Sequence, residues 1–256
     1  MKRVLTGLIL VPIFIYITIW SPPPLFLATV AIVGILSFYE YAALVAHHNI
    51  RRPGLYGYAA GLLLLFLPRP DVVLIVLIAL LALALALSSQ ELSGALPFAG
   101  ALVLGVLYVF GCLRAGIGLR ALSPFWLLFA LSENWVGDIA AFYVGRTFGK
   151  HRLAPRVSPA KSWEGAVAST VMSVVYAYFF FRYLMPGVPL TWVLGIAAVG
   201  NIAGQFGDLC ESAIKRGAGV KDSGTMLPGH GGWLDRIDSS LFALPVVYSL
   251  ASLIAH

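Results

Sequence analysis

Between residues 208 and 238 the chain sets Asp208, Asp222, Asp235 and Asp238 among Lys215, Arg216, Lys221 and Arg236, with His230 and several glycines in the same segment. Carboxylates can hold a hard divalent cation while basic groups neutralise phosphate oxygens, so this mixture reads as phosphate chemistry. Asp235 and Asp238 are three residues apart, which puts both on one face of a helix near its first turn. Complementing a helix dipole would be worth only about 0.3 to 1 kcal/mol each. That reading also leaves Asp208, at the end of the preceding apolar stretch, and Arg236 without a role. A Mg²⁺ ion bound by one or two carboxylates and substrate phosphate needs no larger protein cage. His230, between two glycines and far from any second His or Cys, suits a phosphate contact or a loop hydrogen bond better than a metal site. Asp222 is read as a partner of Lys221.

A second polar group lies upstream. Glu133, Asn134 and Asp138 interrupt an otherwise apolar stretch, and ionisable groups at membrane depth are costly unless they line a polar cavity. Asn134 and Asp138, four apart, share a helical face. The functional expectation is a polar cavity opening toward the cytoplasm; the plainer one is helix-to-helix hydrogen bonding. Further on, residues 158–164 resemble a helix start near Trp163, with Ser158 or Ser162 as the capping hydroxyl. Capping does not require Lys161, whose ammonium beside a helix amino terminus is well placed to meet phosphate oxygens.

The elements that must position these groups are set by composition. Of 256 residues 60% are apolar and 11% charged, against roughly 25% charged in soluble domains, which excludes a water-soluble globule. About twenty apolar residues span a bilayer as a helix. Nine such stretches are read, at 4–20, 25–46, 55–67, 72–87, 95–113, 122–144, 163–184, 190–206 and 239–254. The Leu-Ala alternation at 81–87 mimics a strand, but an isolated strand in lipid leaves its backbone unpaired, so a helix is expected. The fold class expected is an all-α polytopic membrane bundle with a cytoplasm-facing polar active site.

With the amino terminus inside, 13 of the 17 basic residues fall on the cytoplasmic side, leaving Arg69, Arg114, Arg120 and Arg182 opposite. Net charge +6 therefore reflects topology rather than nucleic acid. Lys2 and Arg3 precede the first apolar run, but Ser21-Pro22-Pro23-Pro24 is no cleavage site, so an uncleaved first span is expected. Eight of the eleven acids lie between Glu133 and Asp238. Residues 1–121 accordingly read as scaffold, and residues 122–256 as a catalytic region with cytoplasmic loops 145–162 and 207–238. Glu40 and Glu91, near helix ends, are read as structural, and His47 and His48 as interfacial. The Gly57/Gly61 and Gly200/Gly204 pairs suit close helix packing. Cys112 and Cys210 are read as inert.

The run Ser212-x-x-Lys215-Arg216-x4-Lys221-Asp222-x5-Pro228-x-His230-Gly231-Gly232-x-x-Asp235-Arg236-x-Asp238 resembles the signature of the phosphatidate cytidylyltransferases, or CDP-diacylglycerol synthases. Asp138, the run Gly145-Arg146-x-x-Gly149-Lys150 and the run Ser158-Pro159-x-Lys161-x-x-Glu164-Gly165 resemble that family too. The motifs cover roughly 132–240; Ser162 stands where many members have Thr, with the hydroxyl retained. The resemblance implies transfer of a cytidylyl group from CTP to phosphatidic acid at the cytoplasmic leaflet. Together with their clustering it implies that Asp208, Asp235 and Asp238 bind Mg²⁺, with a second metal ion left open. Lys215 would act with them, Arg216, Lys221 and Arg236 would hold phosphates, Lys161, Ser158 and His230 would assist, and Asp138 would line the lipid-phosphate entrance. A homodimer agrees with the small-residue faces and with the resemblance. The compact form suits a bacterial inner membrane. A CDP-alcohol phosphotransferase would need a dense Asp-x-x-Asp-Gly motif, which is missing, and a transporter would need its charge shared between halves.

Overall fold

The computed structural model describes residues 2–68, 72–89, 91–227 and 231–254, with side chains from residue 11 onward. His230, with Pro228 and Gly229, lies outside the described residues, as does Arg69. The first helices are α1 (Lys2–Ile19), α2 (Pro23–His47), α3 (Gly54–Phe66) and α4 (Val72–Ala86). Proline at the start of α2 loses nothing, because the first turn of a helix has no acceptor for its N–H. Past the end of α2 at His47, Asn49 has a φ of 60°, a left-handed conformation that asparagine tolerates. The alternating Leu-Ala run lies inside α4, as the lipid argument required.

A short 3₁₀ turn leads into α5 (Ala95–Gly105), which passes through a π-helical turn at Val106–Gly111 into α6 (Cys112–Leu122). Together they form one rod of 31 residues, Leu92–Leu122. Next comes α7 (Pro124–Phe148), where the Ser123 hydroxyl accepts from Phe125 N. A hairpin of β1 (Arg152–Ala154) and β2 (Ser158–Ser162) then pairs antiparallel, Arg152 opposite Ser162 and Ala154 opposite Ser158. The remaining helices are α8 (Trp163–Leu184), α9 (Leu190–Gly217) and α10 (Leu234–Ile254).

Among the described residues, α2, the 92–122 rod, α8, α9 and α10 are long and apolar enough to cross a bilayer. α7 has 25 residues but carries Glu133, Asp138 and Arg146 along its length. Each of the nine expected stretches falls on a helical rod, but α9 continues to Gly217 and α10 begins at Leu234, so the loop expected over 207–238 is helical at both ends. The molecule is an all-α membrane protein.

Two cores hold the rods together. One gathers Phe38, Phe110, Leu65 and Leu102 from the amino-terminal helices, and also takes Leu234 and Leu241 from α10. The other gathers Phe129, Phe181, Ile196 and Val247 from α7 to α10, with Leu119 from α6. α10 belongs to both, so the polar loop that precedes it is anchored on each side. Gly57 and Gly61 admit the rings of Phe38 and Phe110, and Gly200 and Gly204 admit Glu133 and Asn134. Both glycine pairs therefore serve packing, the second with polar side chains as the inserted knobs.

Candidate active site

The site is carried by α7, α9 and α10 together with two segments between helices, the hairpin and the stretch before α10. The hairpin closes through Trp163 N donating to His151 O at 2.9 Å and Val157 N to Ala154 O at 3.1 Å. His151 also binds Glu164 through its ring, Nδ1 to Oε1 at 2.7 Å, which ties the base of the hairpin to the first turn of α8. The cap of α8 is Ser162, whose hydroxyl accepts from Gly165 N at 3.2 Å. Ser158 instead sits in β2, where it pairs with Ala154. Of the two capping candidates, Ser162 fills the role.

The hairpin delivers Lys161 to α9. Its Nζ lies 2.5 Å from Asp208 Oδ2, and both side chains are about a third exposed, at 30% and 32%. Ser212, one turn further along α9, donates to Asp208 Oδ1 at 3.2 Å. Asp138 from α7 lies within electrostatic range of Asp208 and Lys161. Asp238 from α10 is buried within range of Asp208, Lys215 and Lys161, and its Oδ1 accepts from Ser239 N at 2.7 Å. Asp208 is thus the carboxylate that binds Lys161, while Asp138 and Asp238, from two other helices, act on it only through the longer reach of their charges.

Beside this group stands a second lysine. Lys215 Nζ lies 2.5 Å from Asp235 Oδ1 and pairs with Glu211 as well; the exposures are 11% for Lys215, 4% for Asp235 and zero for Glu211. Ser223 N donates to both oxygens of Asp235, at 3.2 and 3.0 Å, and Gly232 N donates to Oδ2 at 2.8 Å. Both oxygens of Asp235 are thus occupied by loop amides and Lys215. Gly231 makes this geometry accessible: its φ is +78°, and a Cβ there would stand 2.6 Å from Asp235 Oδ2. Among the described residues no three His, Cys, Asp or Glu side chains converge as a ready-made metal cage.

A cavity of about 760 Å³ opens beside the Lys161 group. Asp138, Arg146, Arg152, Lys161, Ser169 and Gln205 supply its polar lining. Its inner wall is a hydrogen-bonded ladder. Gln205 Nε2 donates to Asn201 Oδ1 at 2.7 Å, and Asn201 Nδ2 donates to Ser169 Oγ at 3.1 Å. Of the three polar residues expected in α7, only Asp138 lines this space. Glu133 and Asn134 are buried between helices, Asn134 at 3% exposure and Glu133 at zero. Helix packing therefore accounts for those two, because their positions on α7 face α9 rather than the cavity.

The structure brings Asp138, Lys161, Asp208, Lys215, Asp235 and Asp238 together. Arg216 is exposed and donates to backbone, through Nε to Val157 O in the hairpin at 3.4 Å and through Nη1 to Val220 O at 3.3 Å, while Lys221 and Arg236 are exposed. Sequence reasoning passed over Arg146, Arg152 and Gln205 as site residues, and also Glu211. The last was legible, since it lies four residues before Lys215 on one helix. Glu40 was read as structural, near a helix end; it is 2% exposed and accepts from Ser223 Oγ, Trp233 N and Leu234 N at 2.8, 3.0 and 2.9 Å, a contact with the segment before α10 that the sequence reading did not foresee. An ionisable group inside an apolar helix was the available signal.

Comparison with known proteins agrees with the motifs. Residues 1–254 match the cytidylyltransferase family. The chain is 33% identical over 265 residues to a phosphatidate cytidylyltransferase of Bacillus subtilis, covering 98% of this chain and 97% of the relative. It is 34% identical over 265 residues to one of Brucella suis, covering 99% and 94%. To one of Thermotoga maritima it is 44% identical over 127 residues, 47% of each chain.

Proposed function

The chain belongs to the cytidylyltransferase family, and from that membership we infer that it transfers the cytidylyl group of CTP to phosphatidic acid, forming CDP-diacylglycerol and pyrophosphate in phospholipid biosynthesis. The observation that carries this reading is the Lys161–Asp208 ion pair, whose lysine stands at the wall of a cavity that Asp138, Arg146 and Arg152 also line. A phosphate oxygen of the lipid attacks the α-phosphorus of CTP, and the bond from that phosphorus to the bridging oxygen breaks as pyrophosphate leaves. Both reactants are anions, so the reaction needs positioning and charge neutralisation more than covalent catalysis.

In this reading Lys161, Arg146 and Arg152 take the phosphate oxygens that enter the cavity. Lys161 exchanges its bond to Asp208 for one to phosphate. Ser158 on β2, Arg216 near the end of α9, Lys221, and Arg236 in the first turn of α10 assist in holding CTP or pyrophosphate, with His230 assigned the same task on the motif alone, and Asp138 lines the lipid-phosphate approach. Lys215 is fixed by Asp235 and Glu211 as a permanent positive charge facing Asp238.

The donor chemistry suits Mg²⁺. Asp208 and Asp238 supply hard carboxylate oxygens from two helices within range of each other, and a cation completed by substrate phosphates needs no third protein ligand. Such an ion would draw charge from the α-phosphate and the departing pyrophosphate. Asp235, expected as a third ligand, would join only by exchanging one of its loop donors.

The finer topology follows the same reading: nine spans, amino terminus and active site at the cytoplasmic face of a bacterial inner membrane, scaffold over 1–121, catalysis over 122–256, and assembly as a homodimer. The 13-to-4 partition of basic residues supports the orientation. The deciding experiment is CTP-dependent synthesis of CDP-diacylglycerol from phosphatidic acid by purified protein in detergent. Product with equimolar pyrophosphate, abolished by chelation and restored by Mg²⁺, is expected. Folded protein that makes none under several lipid and metal conditions would remove the assigned substrates.

A further inference from the structure

We propose that Glu40, on α2 in the amino-terminal half, is a positioning residue for nucleotidyl transfer: it fixes Ser223 and the first turn of α10, and through them the Asp235–Lys215 pair. The inference rests on the reaction assigned above and adds to it a residue 183 positions upstream of the nearest group it holds.

Glu40 is 2% exposed and accepts three hydrogen bonds, all from the catalytic loop. Trp233 N and Leu234 N belong to the start of α10, where backbone donors have no acceptor within the helix. Glu40 therefore caps α10 from another helix, and the positive end of the α10 dipole helps to offset its buried charge. No basic side chain pairs with it among the described residues.

Ser223 is the link to the chemistry. Its hydroxyl donates to Glu40 Oε2 at 2.8 Å and accepts from Asp235 N at 3.3 Å, while its own amide donates to Asp235. Asp235 holds Lys215. A continuous chain of hydrogen bonds thus runs from α2 to the lysine. The loop backbone also wraps the carboxylate closely: a Cβ at Gly224 would stand 2.5 Å from Glu40 Oε1, and one at Gly232 would run into Oε2. A carboxylate can serve three donors because it is all acceptor. A glutamine has one acceptor oxygen and would turn its own N–H groups toward the loop.

The test uses full-chain Glu40→Gln, Glu40→Asp, Ser223→Ala and the Glu40→Gln/Ser223→Ala double variant. It reads kcat and KM for CTP, together with amide hydrogen exchange of segments 223–234 and 132–138. Glu40→Gln and Ser223→Ala are each expected to lower kcat about 10- to 100-fold with a smaller change in KM, as for loss of a group that orients a functional side chain. The double variant is expected to be no worse than the weaker single, and Glu40→Asp to recover part of the loss. Exchange of 223–234 should quicken in Glu40→Gln while 132–138 stays as in the parent. A folded Glu40→Gln with parental kcat, losses that multiply in the double variant, or unchanged exchange at 223–234 would each overturn the proposal. If the parent makes no CDP-diacylglycerol, the reaction assignment fails, and exchange alone then decides whether Glu40 holds the loop.

Discussion

Two lysine–aspartate pairs stand at the candidate active site, and they are built in opposite ways. Lys215 and Asp235 are almost fully enclosed, and each has further partners: Glu211 for the lysine, the Ser223 and Gly232 amides for the aspartate. Lys161 and Asp208 are about one-third exposed, and the lysine rides on a two-stranded hairpin at the cavity wall. A buried pair whose remaining valences are filled is an architectural element, because separating it strands a charge out of water. An exposed pair is worth little to stability and exchanges partners readily. On the proposed function, the difference suits the first pair to holding the loop and the second to meeting substrate.

The largest effect should come from removing the acceptor of the open pair. Asp208→Asn is expected to lower turnover on the order of 1,000-fold, the scale for losing a principal electrostatic contact to the transition state. Its thermal unfolding should remain near that of the parent, since only an exposed pair is lost. A large drop in unfolding temperature, measured in the same detergent, would make Asp208 a structural group and dissolve the contrast.

The closed pair should behave the other way. Lys215→Met leaves Asp235 and Glu211 without their cation, and breaking a buried pair from one side costs about 3 to 5 kcal/mol. Unfolding temperature and activity should fall together. The Lys215→Met/Asp235→Asn double variant should regain part of the stability while staying inactive. If Lys215→Met keeps its stability, the pair is not the buried anchor described here.

How far these roles were legible depends on the range over which they are determined. The rods follow from runs of apolar residues, and even the Leu-Ala alternation of α4 yields to the requirement that backbone groups in lipid pair within their own segment. That Lys215, Asp208, Asp235 and Asp238 would come together was legible, because acids and bases concentrated between apolar spans have no cheap alternative. The division of labour among the aspartates was not. Three-residue spacing puts Asp235 and Asp238 on one face, but Asp235 is turned back onto loop amides by Gly231 and Ser223, a tertiary outcome. The short hairpin carries no strand-length alternation, so its register emerges only with the His151–Glu164 and Trp163–His151 contacts. Glu40 was hardest to read, because its partners are between 183 and 194 residues away.

Lys161→Ala offers a smaller and more discriminating test. The lysine is expected to lend its charge to phosphate in the complex, so KM for CTP should rise about tenfold, the equivalent of one charge-assisted hydrogen bond. Unfolding temperature should move little, as the pair contributes at most about 1 kcal/mol. A variant with parental KM but a lowered unfolding temperature would mean that Lys161 serves only to pin the hairpin to α9.

Ionic strength gives the mildest test, and it probes the contrast without altering the chain. Salt screens charges that solvent can reach, with a Debye length of about 10 Å at 0.1 M falling to about 3 Å at 1 M, and affects enclosed pairs much less. Raising salt should therefore increase KM for CTP a few-fold, on the order of two to three across that range, with kcat nearly constant. Lys161→Ala should show a shallower dependence, but not a flat one, because Arg146 and Arg152 line the same cavity. Should the slope be the same with and without Lys161, the open pair is not where CTP first meets positive charge, and that role passes to the two arginines. Should kcat fall steeply with salt instead, the enclosed Lys215–Asp235 pair is the solvent-sensitive one, and the assignment of anchor and substrate contact is reversed.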